Sequence, residues 1–127
     1  MSTLRTNTLS NVAGTKTVST DTVVDGSAKA WVNFNGTGTV AIRGSFNVSS
    51  ITDNGLGNYF VNFATAMPNT NYCTQISMEV ASNGSTYVVP NINSTAPTVN
   101  FTPVLTVGTG GTTTSADSAR ICVAVFS

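Results

Sequence analysis

The chain has 127 residues, with 5 Lys and Arg balancing 5 Asp and Glu, no His and 2 Cys. Without histidine no Ser-His or Cys-His relay can form, and without His or a Cys-x-x-Cys pair no zinc ligand set is present. Nor is there the basic stripe that nucleic-acid phosphates or an anionic membrane surface require.

A chain of this length fits one modest domain, or a smaller domain with an extended arm, and buries about two-thirds of its unfolded surface. The 22 Thr, 14 Ser and 14 Asn, punctuated by branched and aromatic residues, point to strands joined by turns rather than to helices or disorder.

Residues 1–25 stand apart. Leu4, Leu9, Val12, Val18, Val23 and Val24 lie among polar residues with no aromatic. Helical spacing does not fit, and Gly14 with many Thr argues against a helix. The segment is expected to be an extended arm, or short strands pairing with other chains, with a turn at Asn11-Val12-Ala13-Gly14.

Residues 26–127 form the expected β-domain. Strand signals begin at residues 30–34, and Val40, Ile42, Gly44, Phe46 and Val48 then alternate with polar or small residues as one half-buried strand. Residues 50–52 and the alternating Tyr59, Val61 and Phe63 flank Asp53-Asn54-Gly55-Leu56-Gly57, a hairpin in which Asn-Gly supplies positive φ cheaply. Residues 67–71 form a loop around Pro68. Tyr72, Thr74, Ile76 and Met78 share one face of the next strand, and Cys73, Gln75 and Ser77 the other. Asn83-Gly84 signals a second hairpin into residues 86–89.

A loop at residues 90–97 precedes a strand at 98–107, which Pro103 places at an edge or bulge. Residues 108–117 read as a flexible Gly, Thr and Ser stretch. The last strand, residues 120–126, is apolar on both faces and is expected to be buried on both. Seven to eight short antiparallel strands indicate a β-sandwich, with a closed barrel as the alternative.

The five acids offer little for catalysis. Glycoside hydrolysis needs paired carboxylates; Asp53 sits in a turn that it is expected to cap, Asp21 and Asp25 lie in the arm, and Asp117 follows the flexible stretch. Glu79 is mid-strand and without an evident partner. No enzyme, cofactor or metal is expected. Gly36-Thr37-Gly38 and Gly108-Thr109-Gly110-Gly111 lack the Lys and helix of a phosphate loop. Cys73 and Cys122 are expected to be buried free thiols, a disulfide being possible only if their strands are neighbours. Trp31, Phe34, Tyr59 and Phe63 are expected to anchor the core or a subunit contact. Trp31 stacked on a sugar is the alternative. A receptor patch, if the chain has one, is placed at Tyr87, Asn91 and Asn93, because Tyr with Asn and Ser makes an adaptable hydrogen-bonding surface.

The run Ala28-Lys29-Ala30-Trp31-Val32-Asn33-Phe34-Asn35-Gly36-Thr37-Gly38, the stretch Asn47-Val48-Ser49-Ser50-Ile51-Thr52-Asp53-Asn54-Gly55 and the closing Ala66-Met67-Pro68-Asn69-Thr70-Asn71-Tyr72 together resemble a module of phage tail-fibre proteins, especially those of phages of cyanobacteria and marine bacteria. The resemblance covers residues 26–72 and departs from the pattern at Gly44, Leu56 (an apolar hairpin tip) and Cys73. It carries over no functional residue. It implies a virion structural protein, a homotrimer whose residues 1–25 attach to tail or baseplate proteins and whose body adheres non-covalently to a host-surface glycan or protein. A capsid-decoration or baseplate protein without a receptor, and a free carbohydrate-binding module, are the alternatives. With no secretory signal or membrane-spanning run visible, synthesis in the host cytoplasm and incorporation into the virion are expected.

Overall fold

A computed structural model describes residues 2–79, 88–91, 95–108 and 114–127. In chain order its elements are β1 (Thr8–Ser10), β2 (Thr17–Ser19), α1 (Thr20–Gly26), β3 (Ala30–Asn35), β4 (Ala41–Phe46), β5 (Val48–Asp53), β6 (Asn58–Phe63), β7 (Cys73–Met78), β8 (Val88–Asn91), β9 (Phe101–Gly108), β10 (Thr114–Ser115) and β11 (Ile121–Phe126). The chain is all-β apart from α1. One sheet has the order β4-β3-β11-β7; the second has the order β10-β9-β6-β5, with β8 also pairing β9. Every pairing is antiparallel.

The two sheets form a sandwich because their period-two apolar faces meet. Ala30, Val32, Phe34, Ile121, Val123 and Val125 from the four-stranded sheet bury against Tyr59, Val61, Phe63 and Val104 of the other. Phe34 and Tyr59 meet edge to face across the gap, with ring centroids 5.3 Å apart. Each such side chain contributes about 1.5–3 kcal/mol on burial. The interior also holds a polar pair, the Thr74 and Thr102 hydroxyls at 3.0 Å, so neither is left unpaired.

Asn47 turns the chain from one sheet to the other. Its φ is 53°, a left-handed conformation that Asn tolerates better than most residues. Its amide holds the corner: Nδ2 donates to Lys29 O and Thr65 O at 3.0 and 3.2 Å, and Oδ1 accepts from Thr65 N–H at 2.7 Å. The run expected as one strand from Val40 to Val48 is therefore two, β4 and β5, in different sheets. Alternation alone does not register a corner whose residues keep the same pattern on either side. With the short β10 added, the described body has nine strands where seven to eight were expected.

The first hairpin is as expected. β5 pairs β6, Asp53 Oδ1 accepts from Gly55 N–H at 2.9 Å, and Gly55 and Gly57 take positive φ. Pro103 sits opposite Phe60. Hydrogen-bonded rungs alternate along this ladder, Thr106 N–H donating to Gly57 O and Phe63 N–H to Asn100 O, so the missing N–H faces away from β6, on the side where β8 pairs Leu105 to Gly108; β9 as a whole lies between β6 and β8, not at the expected edge of the sheet. The second hairpin is different. The Asn83-Gly84 turn lies outside the described residues, but β7 pairs β11 while β8 pairs β9, so the flanking strands belong to different sheets.

The N-terminal segment also departs from expectation. β1 and β2 pair with each other around the Asn11–Gly14 turn, where Gly14 has φ 69° and donates to Asn11 O at 2.9 Å. Residues 20–26 are helical, not extended. The reason is capping: the Ser19 hydroxyl accepts from Thr22 N–H at 3.1 Å, Asp21 sits in the first turn, and Ser27 and Lys29 donate to the Val23 and Val24 carbonyls. No residue of α1 is buried.

Candidate functional site

Two places in the fold gather polar or exposed aromatic groups. The first is the outward face of the four-stranded sheet. Cross-strand register lines its residues into rows: Phe46, Trp31, Ala124 and Gln75; then Gly44, Asn33, Cys122 and Ser77; and Phe126 beside Cys73. The middle of the face is small, and Trp31 lies over Gly44, its ring 3.6 Å from where a Cβ would stand. Large groups at the margin and small ones between leave a trough. One part, about 340 Å³, is lined by Trp31, Asn33, Gln75, Cys122 and Ala124 among others. A second part, about 370 Å³, shares Ser77 and Cys122 and ends at Glu79 and Arg120.

Trp31 is 44% exposed and Phe46 56%. Asn33 Oδ1, by contrast, is shielded and has no hydrogen-bond partner, a costly state for a carbonyl oxygen. The outward face of the other sheet is finished differently. There Asn62 Nδ2 donates to the Ser50 and Thr52 hydroxyls at 3.0 and 2.8 Å, and Phe60 and Phe101 stack on each other at 4.5 Å.

The second place is a polar seam that ties the two sheets together. The Tyr59 hydroxyl donates to Asp117 Oδ1 at 2.6 Å and lies 2.9 Å from Gly36 O, while the same carboxylate oxygen accepts from Gly57 N–H at 2.7 Å. Gly36 N–H donates to Ser118 O at 2.9 Å, and the buried Ser118 hydroxyl donates toward Glu79 O and Arg120 O. Burial, followed by the Asp117 hydrogen bond and charge, pushes the Tyr59 phenol well above its ordinary range. The seam leaves no space for a substrate: a Cβ on Gly36 would stand 2.7 Å from the Tyr59 hydroxyl and 2.9 Å from Ile121. Its role is structural, and Asp117, expected beside a flexible stretch, is one of its fixed points. Thr114 and Ser115 form β10 just before it.

The structure sorts the remaining candidates. Phe34 and Tyr59 are fully buried and Phe63 nearly so, whereas Trp31 stands outside the core. Tyr87 and Asn93 lie outside the described residues, and of Asn91 only its backbone place in β8 is described. Cys73 is exposed and Cys122 half-buried, both free, so the expectation of buried thiols is corrected. Their strands are neighbours, but Cys122 pairs Ser77 while Cys73 pairs Phe126. That offset of four rungs is about 13 Å, beyond the reach of a disulfide. β11 likewise is buried on one face only; Cys122, Ala124 and Phe126 are half-exposed. Glu79 has a partner after all, Arg120 Nε at 3.7 Å, with both side chains more than half exposed.

Asn33 and Gln75 carry no motif of their own; period-two patterning puts them on the face opposite the core residues, which is the signal the sequence holds for them. Tyr59 and Asp117 are 58 residues apart, and no local pattern joins them. Among the described residues no group of three His, Cys, Asp or Glu is placed to hold a metal ion, and no helix is long and apolar enough to cross a membrane.

No protein-family model matches the chain, and neither a curated protein nor a solved structure matches it.

Proposed function

We propose that the chain is a subunit of a phage tail fibre, assembling through its N-terminal segment and adhering non-covalently to a host-surface glycan or protein through its β-body. One observation carries the reading: a nearly charge-free sandwich is joined to an N-terminal segment whose Leu4, Leu9, Val12, Val18, Val23 and Val24 are all exposed. Such a segment, uncovered by the described residues, gains apolar burial when other chains pack on it. The resemblance of residues 26–72 to fibre modules agrees with it. Adhesion in this scheme needs no bond chemistry, because many weak contacts in parallel raise avidity by roughly 100- to 10,000-fold.

The test is location and binding together. Antibody against the chain should decorate the tail extremity of purified particles, and the purified full chain should bind host cells and be competed by host-surface extract. Decoration of the head, or tail decoration with no cell binding, would replace the adhesive reading with a purely architectural one.

A further inference from the structure

We infer that the outward face of β4-β3-β11-β7 receives the N-terminal hairpin and helix of a second copy of this chain. The inference gives a specific geometry to the assembly proposed above and rests on that reading only in treating the chain as a subunit.

The face is unfinished for water. It exposes Trp31 and Phe46 and places no charged side chain in the rows from Phe46 to Gln75 and from Gly44 to Ser77. The opposite outer face, built from the same kinds of residue, pairs its amide with two hydroxyls and stacks its rings. Lack of polar material is therefore not the reason that the first face remains open.

The second uncovered apolar surface is the chain's own N-terminal segment. Residues 2–18 are exposed throughout, and Leu9 and Val18 face each other across the β1–β2 ladder, so one side of the hairpin presents a paired apolar contact.

Size decides how the two surfaces meet. Four strands about 4.8 Å apart and six residues long give a face with a footprint on the order of 400 Å². A stable interface needs about 800 Å² from each partner. Face against face would fall short and would leave the arm uncovered. If each copy instead gives its arm and receives its neighbour's, every chain covers both surfaces and approaches the required area. Charge does not oppose that pairing: Arg5 and Lys16 of the arm balance its Asp21 and Asp25, and the two central rows of the face carry no charge. The absence of net charge removes long-range repulsion between copies. Exchange of arms around a closed symmetry also leaves no free end to propagate into fibres.

The experiment is sedimentation of the full chain with two variants and their mixture. Ala124→Arg puts a charge in the centre of the face, and Leu9→Asp with Val24→Asp spoils the arm. The native chain should sediment as a closed oligomer and each variant as a folded monomer, with far-UV circular dichroism unchanged. The mixture should gain at most a weak one-to-one dimer, seen only at raised concentration, because one intact arm then meets one intact face and half of the exchanged area is lost. Bulky maleimide should label Cys122 at least tenfold more slowly in the oligomer than in Ala124→Arg. A native monomer, an oligomer that survives Ala124→Arg, or a mixture that rebuilds the full closed oligomer overturns the inference. So does a monomer whose Cys122 becomes protected only when host glycan is added, which would make the trough a ligand site. None of these outcomes depends on whether the particle binds cells.

Discussion

Neighbouring residues on one strand have opposite fates in this protein. Val32 and Phe34 of β3 are fully buried between the sheets, whereas Trp31, from the same strand, lies on the outside with almost half its surface in water. The inner face is complete as a core: its apolar residues meet apolar residues of the other sheet, and its edge is closed by the Tyr59–Asp117 seam. The outer face has exposed aromatics, Trp31 and Phe46, and no second layer among the described residues. That difference teaches that the fold is already determined by one side of the sheet. The other side is free to be specialised, and its apolar content carries no stabilisation until something covers it.

The sharpest test of the comparison substitutes one aromatic on each side. Phe34→Ala removes a fully buried ring and should cost about 3–5 kcal/mol, read as a lowered denaturant midpoint. Trp31→Ala, measured at a concentration where the chain is dispersed, should cost about 1 kcal/mol or less. Equal losses would show that Trp31 belongs to the fold's own core and that the outer face is not a separate surface.

This asymmetry also marks how far the sequence could be read. Alternation grouped Tyr59, Val61 and Phe63 of β6, and Thr74, Ile76 and Met78 of β7, on single faces that do turn inward, because period-two burial is a local property. It also found the hairpin at Gly55, whose turn chemistry is local. It could not say whether the other face of β11 is covered, since Cys122, Ala124 and Phe126 are small or apolar in either case. The Asn47 corner, the Tyr59–Asp117 contact and the divergence of β7 from β8 depend on residues far apart in the chain. α1 was legible in principle, through the Ser19 cap and Asp21, but its Thr-rich composition concealed it.

A smaller effect should follow from the seam. Tyr59→Phe leaves the Asp117 carboxylate with Gly57 N–H and withdraws the phenol hydroxyl from Gly36 O, at a cost of about 1–3 kcal/mol. The pH dependence has a definite sign. The phenol of Tyr59 is raised by burial and by Asp117, and that of Tyr72 is raised by burial. In the unfolded chain both lose their protons near pH 10, while the folded chain retains them. Above about pH 10 the folded state binds more protons, and stability falls as pH rises. The loss should be shallower in Tyr59→Phe than in the native chain between about pH 9.5 and 11.5. Ultraviolet titration of the native protein showing every tyrosine ionising near pH 10 would contradict the buried seam.

The smallest effect belongs to the rim of the outer face, where Glu79 and Arg120 pair at 3.7 Å with both side chains more than half exposed. Water screens such a pair, and holding two flexible side chains together costs entropy, so Glu79→Gln should change stability by about 0–0.5 kcal/mol. The backbone carbonyl of Glu79 is more consequential than its carboxylate, because it accepts the buried Ser118 hydroxyl at 2.8 Å. Ser118→Ala, which strands that interaction, should therefore exceed Glu79→Gln by about 1 kcal/mol in the same denaturant titration. The reverse order would mean that the exposed ion pair, and not the seam behind it, holds this end of the sandwich closed.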